Sequence, residues 1–143
     1  MKKILFLSIL LAGSFAAQAQ KIKKENVPAA VAATFAKRYP NATDVAWEKE
    51  DVHYEAGFRQ NNVEHSVLLD ANGNVVETET EIAVTALPAT AREYLAKNYP
   101  NQKVKEAAQI TDAQATVTYE AELEGVDVLF TATGQFIKTV KKD

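Results

Sequence analysis

Val27-Pro-Ala-Ala-Val-Ala-Ala-Thr-Phe-Ala-Lys-Arg-Tyr-Pro-Asn41 and Leu87-Pro-Ala-Thr-Ala-Arg-Glu-Tyr-Leu-Ala-Lys-Asn-Tyr-Pro-Asn101 are one segment written twice, at an offset of 60. All four prolines of the chain fall in these two stretches, at matching places, which marks an internal duplication. In each copy apolar residues recur at every fourth position: Val27, Val31, Phe35 and Tyr39, then Leu87, Ala91, Leu95 and Tyr99. That spacing predicts a helix with one buried stripe. Pro28 and Pro88 suit a first helical turn, where a missing N–H costs nothing. Pro40 and Pro100 push the preceding tyrosines out of helical conformation and end each helix.

Beyond each helix the period changes to two. Val52, Tyr54, Ala56 and Phe58 alternate with polar neighbours, as do Val117, Tyr119, Ala121 and Leu123, the pattern of half-buried strands. Asn61-Asn62 and Glu124-Gly125 are turn residues that tolerate positive φ, and Val63–Leu69 and Val126–Thr131 run back from them. Further turns at 70–73 and 131–134 lead into strands at 75–80 and 136–140, and a short strand near Val45-Trp47, matched near Val104, precedes each hairpin. The expected fold is therefore α+β. Two tandem repeats, about 25–82 and 85–142, each carry one helix and three to four antiparallel strands. The repeats join into one sheet with the helices on one face.

Upstream of the repeats, Lys2 and Lys3, an apolar run over residues 4–15 and Ala17-Gln18-Ala19 make the three parts of a secretory signal. The run is about a dozen residues, short of the roughly 20 that span a bilayer. Residues 1–19 read as a cleaved leader, leaving a domain over 20–143. With no cysteine there is neither a lipid-anchoring thiol nor a disulfide, so packing alone must stabilise the mature chain. A periplasmic or secreted location follows, with no transmembrane segment after cleavage. Without Lys2 and Lys3, fourteen basic residues (16 − 2) face nineteen acids. A net acidic chain argues against nucleic acid as a partner. Lysines gather at the two ends (Lys21, Lys23, Lys24; Lys138, Lys141, Lys142) and read as solvated tails.

Three stretches, Tyr-Pro-Asn-Ala-x-x-Val-x-Trp-Glu over 39–48, Tyr54-Glu-Ala-x-Phe58 and Val67-Leu-Leu-Asp-Ala-Asn-Gly73, carry a family pattern. Together they resemble the PepSY-like family, itself similar to β-lactamase-inhibitor proteins. The resemblance covers nearly the whole mature chain. The second copy departs from it: no tryptophan follows Val104, and the last turn is Thr131-Ala-Thr-Gly134. What the resemblance implies is a bacterial periplasmic or secreted protein of two αβ repeats without known catalytic residues. Its inhibitor-like relatives bind a partner protein on the open face of the sheet.

Duplication supplies an internal control: a residue kept in both copies serves the shared architecture, and one present once is free for function. Ser66, the sole serine after the leader, is next to His65. Adjacent strand residues point to opposite faces, so no nucleophile–base pair forms. His53 and His65 likewise fall on opposite faces, which speaks against a transition-metal site. Asp70-Ala-Asn-Gly-Asn74 lacks the spaced ligands of a calcium loop and reads as a turn. Glu77, Glu79 and Glu81 read as a solvated face or a protected edge. No cofactor, no metal and no enzymatic activity are expected.

There remains the sheet face away from the helices, with His53, Glu55, Leu68, Glu120 and Leu129 as candidate contacts. Trp47 is a further candidate anchor, or else a core residue beneath the first helix. The reading is an exported non-enzymatic module that binds or inhibits an envelope or secreted protein through that face. A small-ligand or cation carrier, or an envelope stress protein with no discrete ligand, is the alternative.

Overall fold

The computed structural model describes residues 19–142, so the leader expected over 1–19 lies outside them except for Ala19. Two helices, α1 (Ala29–Arg38) and α2 (Ala89–Asn98), accompany nine strands. The strands are β1 (Gln20–Ile22), β2 (Thr43–Glu50), β3 (His53–Gln60), β4 (Val63–Leu69), β5 (Val75–Ile82), β6 (Glu106–Asp112), β7 (Val117–Leu123), β8 (Val126–Thr131) and β9 (Phe136–Lys141). Sheet order equals chain order, β1 through β9, in one antiparallel meander. The chain divides into two compact units, one ending at Thr78 and the other starting at Glu79.

Within the first unit the predicted stripe is the buried one. Val27, Val31 and Phe35 pack with Trp47, Ala56, Phe58, Val67 and Leu69, and Tyr39 joins from the edge. Phe35 is the hub, its ring 5.1 Å from Trp47 and 5.2 Å from Phe58, both edge-on, the arrangement aromatic quadrupoles favour. The second unit builds the same core from smaller parts: Leu87, Ala91, Leu95, Ala107, Ala121, Leu123, Val128 and Phe130. Its aromatic contacts move to Tyr94, which meets Phe130 edge-on and stacks on Phe136 at 4.8 Å.

Both helices end where proline dictates, with Tyr39 and Tyr99 out of helical conformation (ψ 63° and 52°). Pro28 and Pro88 occupy the N-cap, one residue earlier than expected, each following a 3-10 turn (Lys24–Asn26 and Val84–Ala86). Neither those turns nor β1 were legible as periodic patterns, being only three residues long.

Three hairpin turns share one hydrogen-bond scheme. The Gly73 N–H donates to the Asp70 carbonyl at 3.0 Å, Ala115 to Asp112 at 3.0 Å, and Gly134 to Thr131 at 2.9 Å. All three donors have positive φ, the left-handed residue of a bulged hairpin loop. Side chains brace the turns: Asp70 Oδ1 accepts from the N–H of Asn72 and of Asn74 at 2.9 Å, and Asp112 does the same for Gln114 and Thr116. This confirms 70–74 as a turn.

Two strand assignments need correction. β2 runs over eight residues rather than a short stretch at Val45-Trp47. Val52 sits in the β2–β3 turn, 63% exposed, instead of pointing into the core. The period-two pattern carried one residue too far because Asp51 turns the chain with φ 52°.

Candidate functional site

Cross-strand pairing fixes which side chains share the face away from α1. Glu48 lies opposite Glu55, Glu50 opposite His53, Glu55 opposite Leu68 and Gly57 opposite Ser66. In the second unit Glu120 lies opposite Leu129 and Glu122 opposite Asp127. Parity thus puts His53, Glu55 and Leu68 together, and Glu120 with Leu129, as the sequence predicts.

Their environment differs from the expectation. Glu55 is 4% exposed, Leu68 1%, Glu120 7% and Leu129 4%; only His53 keeps intermediate exposure. The face is closed to solvent rather than open. In the first unit Glu77 on β5 raises the pKa of Glu50 on β2. Whether a sheet face is covered depends on twist and tertiary packing, which a period-two pattern does not carry. Glu79, expected on a solvated face, is 2% exposed.

Glu48, Glu50 and Glu55 converge here, with carboxylate oxygens within 4.8 Å of one another. Burial pushes the Glu50 pKa up to about 8, helped by the charge of Glu55, a hydrogen bond to it, and the charges of Glu48 and Glu77. The Glu50–Glu55 pair therefore holds a shared proton at neutral pH. These hard oxygen donors could hold a cation only by displacing that proton.

This proton makes stability fall with pH. Glu50 ordinarily ionises near 4.5 and here near 8. Between those values the folded chain retains a proton that the unfolded chain has released. Its contribution is full below the lower value and lost as pH rises through the upper one. Thermal melts across this range will show the wild type losing about 2 kcal/mol, a figure reduced for solvent screening. Glu50→Gln will flatten the profile. Parallel profiles for the two proteins would refute the shared proton.

The second unit organises its acids differently. In the first unit Arg59 Nη1 donates to Glu64 Oε1 at 2.7 Å across the β3–β4 hairpin. On the same face of the β7–β8 hairpin, next to its turn, Glu122 lies opposite Asp127, a pair of acids. Lys142 supplies the missing cation, its Nζ 2.8 Å from Glu122 Oε2 and 3.2 Å from Asp127 Oδ1. Asp127 is fully buried; desolvation raises its pKa despite Lys142. Burial opposes the Lys142 charge, but hydrogen bonds and Coulomb attraction to Glu122 and Asp127 overcome it and raise its pKa. Lys142 is thus no solvated tail.

Trp47 lies in the core, 6% exposed beneath Phe35. It also lines an open groove of about 480 Å³ between α1, β2 and residues 21–24, with Lys21, Lys24, Phe35, Tyr39 and Val45 among the other lining residues. Sequence reading missed this groove. The available signal was a pair of alanines one helical turn apart, Ala32 and Ala36, which also line it. Their second-copy counterparts at the offset of 60 are Arg92 and Ala96. Arg92 donates through Nε to the Leu87 carbonyl at 3.2 Å, and Ala107 replaces Trp47.

The fold and these sites define a class: a tandem-repeat α+β protein with one helix per repeat packed on an antiparallel sheet. The chain belongs to the PepSY-like family, whose model, described as "Putative beta-lactamase-inhibitor-like, PepSY-like", matches residues 15–77 and 54–138. Among solved structures it is similar to a BLIP-like protein from Bacteroides fragilis at 27% identity and a TM-score of 0.64, covering 80% of this chain and 86% of that one. A protein of a domain family of unknown function from Bacteroides uniformis matches at 24% identity and a TM-score of 0.70, covering 80% and 88%. One of the "putative periplasmic proteins" from Bacteroides eggerthii matches at 19% identity and a TM-score of 0.72, over the same shares. These last two show the shared fold alone. No curated protein matches the chain. Among the described residues no helix is long and apolar enough to cross a membrane.

Proposed function

We propose that this protein is an exported, non-enzymatic binding module of the periplasm whose partner is another protein. The similarity to a BLIP-like protein supports a role of inhibitor type. The observation that carries the reading is the terminal strand β9, at the end of the sheet order. There Phe136 and Ile137 are 42% and 38% exposed. A sheet edge offers unpaired backbone donors and acceptors to an extended segment, and apolar side chains beside it supply the anchors. Lys138 and Lys141 on the same strand limit indiscriminate pairing of edges. With the face opposite the helices buried, this edge takes over the role first expected of Leu68 and Leu129.

The protein purified in its processed form and immobilised will retain one saturable partner from an envelope extract. Phe136→Asp with Ile137→Asp will weaken that capture at least tenfold, about 1.4 kcal/mol. Failure to retain any saturable partner, or retention unchanged in the double variant, would count against this reading.

A further inference from the structure

The groove beside Trp47 lies in the first repeat, at positions where the second repeat carries different residues. Four positions of its lining differ between the copies. Ala32 leaves open the space where Arg92 lies in the second copy, Trp47 replaces Ala107, and Val45 and Ala46 replace Lys105 and Glu106. The covering strand also differs. β1 pairs with β2 only at Trp47, Glu48 and Lys49, so residues 43–46 have no partner from it. The segment matching β1 in the second repeat, residues 80–82, is the end of the eight-residue strand β5. Lining residues that the second copy does not share are not required by the common architecture.

The lining chemistry is specific. Ile22, Ala32, Phe35, Val45 and Trp47 make it apolar, as small-ligand sites of about 300–1,000 Å³ are. The chain carries nineteen acids against sixteen bases, yet both charged residues lining the groove, Lys21 and Lys24, are cations. Lys21 lies opposite Glu48 in the β1–β2 pairing, so its side chain belongs to the other face of the sheet and it borders the groove without supplying its charge. Lys24 lies beyond the end of β1, in the 3-10 turn that leads to α1. An elongated apolar body with one terminal anion complements such a lining: the body against Trp47 and Phe35, the anion toward Lys24.

We infer that this groove is a binding site for an aliphatic carboxylate, a fatty-acid-like amphiphile, separate from the β9 edge. The only tryptophan of the chain is in its lining, so the protein carries its own probe. Decanoate, below its micelle concentration, will change Trp47 emission saturably. Decyltrimethylammonium, with the same tail and the opposite charge, will bind at least tenfold more weakly. Ala32→Arg, which installs the second-copy residue, will abolish the decanoate response. Val45→Glu will do so too from a position already 40% exposed, where folding is not at risk. Lys24→Gln will remove the preference for the anion. No saturable response to decanoate, or a response undiminished in Val45→Glu, would overturn the site. Equal binding of the cationic amphiphile would overturn the choice of a carboxylate. None of these variants touches Phe136 or Ile137, so partner capture at β9 stands or falls by itself.

Discussion

Lys142→Met will destabilise the protein by about 3–5 kcal/mol, the cost of leaving a buried charge without its partner. Asp127 has no solvent exposure, and its nearest cation is the Lys142 ammonium at 3.2 Å. Methionine keeps most of the aliphatic stem and removes only the charge. Asp127 then must either ionise uncompensated or take up a proton, and its pKa is already raised by desolvation. Two consequences distinguish this from lost packing. Asp127→Asn in the Lys142→Met background will restore at least half of the loss. In acid, where Asp127 is protonated, the Lys142→Met penalty will shrink. Urea unfolding of the single and double variants at neutral and acid pH reads both. A penalty that is small, or independent of pH, would show that the pair does not hold the strand end.

Gly73→Ala will cost about 3 kcal/mol, summed from two causes. Gly73 has φ +85°, a conformation costing a residue with a Cβ about 1–2 kcal/mol. That Cβ would also lie 2.6 Å from the Ala30 carbonyl oxygen and 2.8 Å from Thr34 Oγ1. The backbone of α1 cannot yield as a side-chain tip can, so overpacking adds about 1–3 kcal/mol. Gly134 repeats the arrangement against α2, with Ala91 N and Pro88 Cβ each at 2.8 Å. Gly125 is the control: its φ is +71° with nothing within 4 Å. Gly125→Ala will therefore cost only the backbone strain, about 1 kcal/mol, and chemical denaturation of the three variants separates strain from clash. Equal losses at Gly73 and Gly125 would refute the contact with the helix.

These two residues mark opposite limits of sequence reading. Gly73 was legible as a turn residue because its neighbours are turn formers and Gly134 recurs in the second copy. The helix packed against it was not legible, since that contact joins segments forty residues apart. Lys142 was misread as a solvated tail. A charge near a terminus and a charge paired with a buried aspartate look identical in composition. The difference appears only when β9 pairs with β8 and carries residue 142 back past Gly125, whose carbonyl accepts its backbone N–H at 3.1 Å. The candidate face shows the same division. Alternation placed Glu55 and Leu68 on one side correctly, yet could not say whether that side faced water.

By itself the sequence determined the duplication, both helices with their buried stripes and ends, and the facing of nearly every strand residue. Those are local consequences of side-chain period and proline geometry, acting within a few residues. Tertiary structure alone decided that the acid-rich face is buried, that Glu50 and Glu55 share a proton, and that Lys142 serves Asp127. It alone opened the groove beside Trp47. Burial depends on how strands twist and curl over one another, and electrostatics depends on burial, so neither can be read from a pattern along the chain.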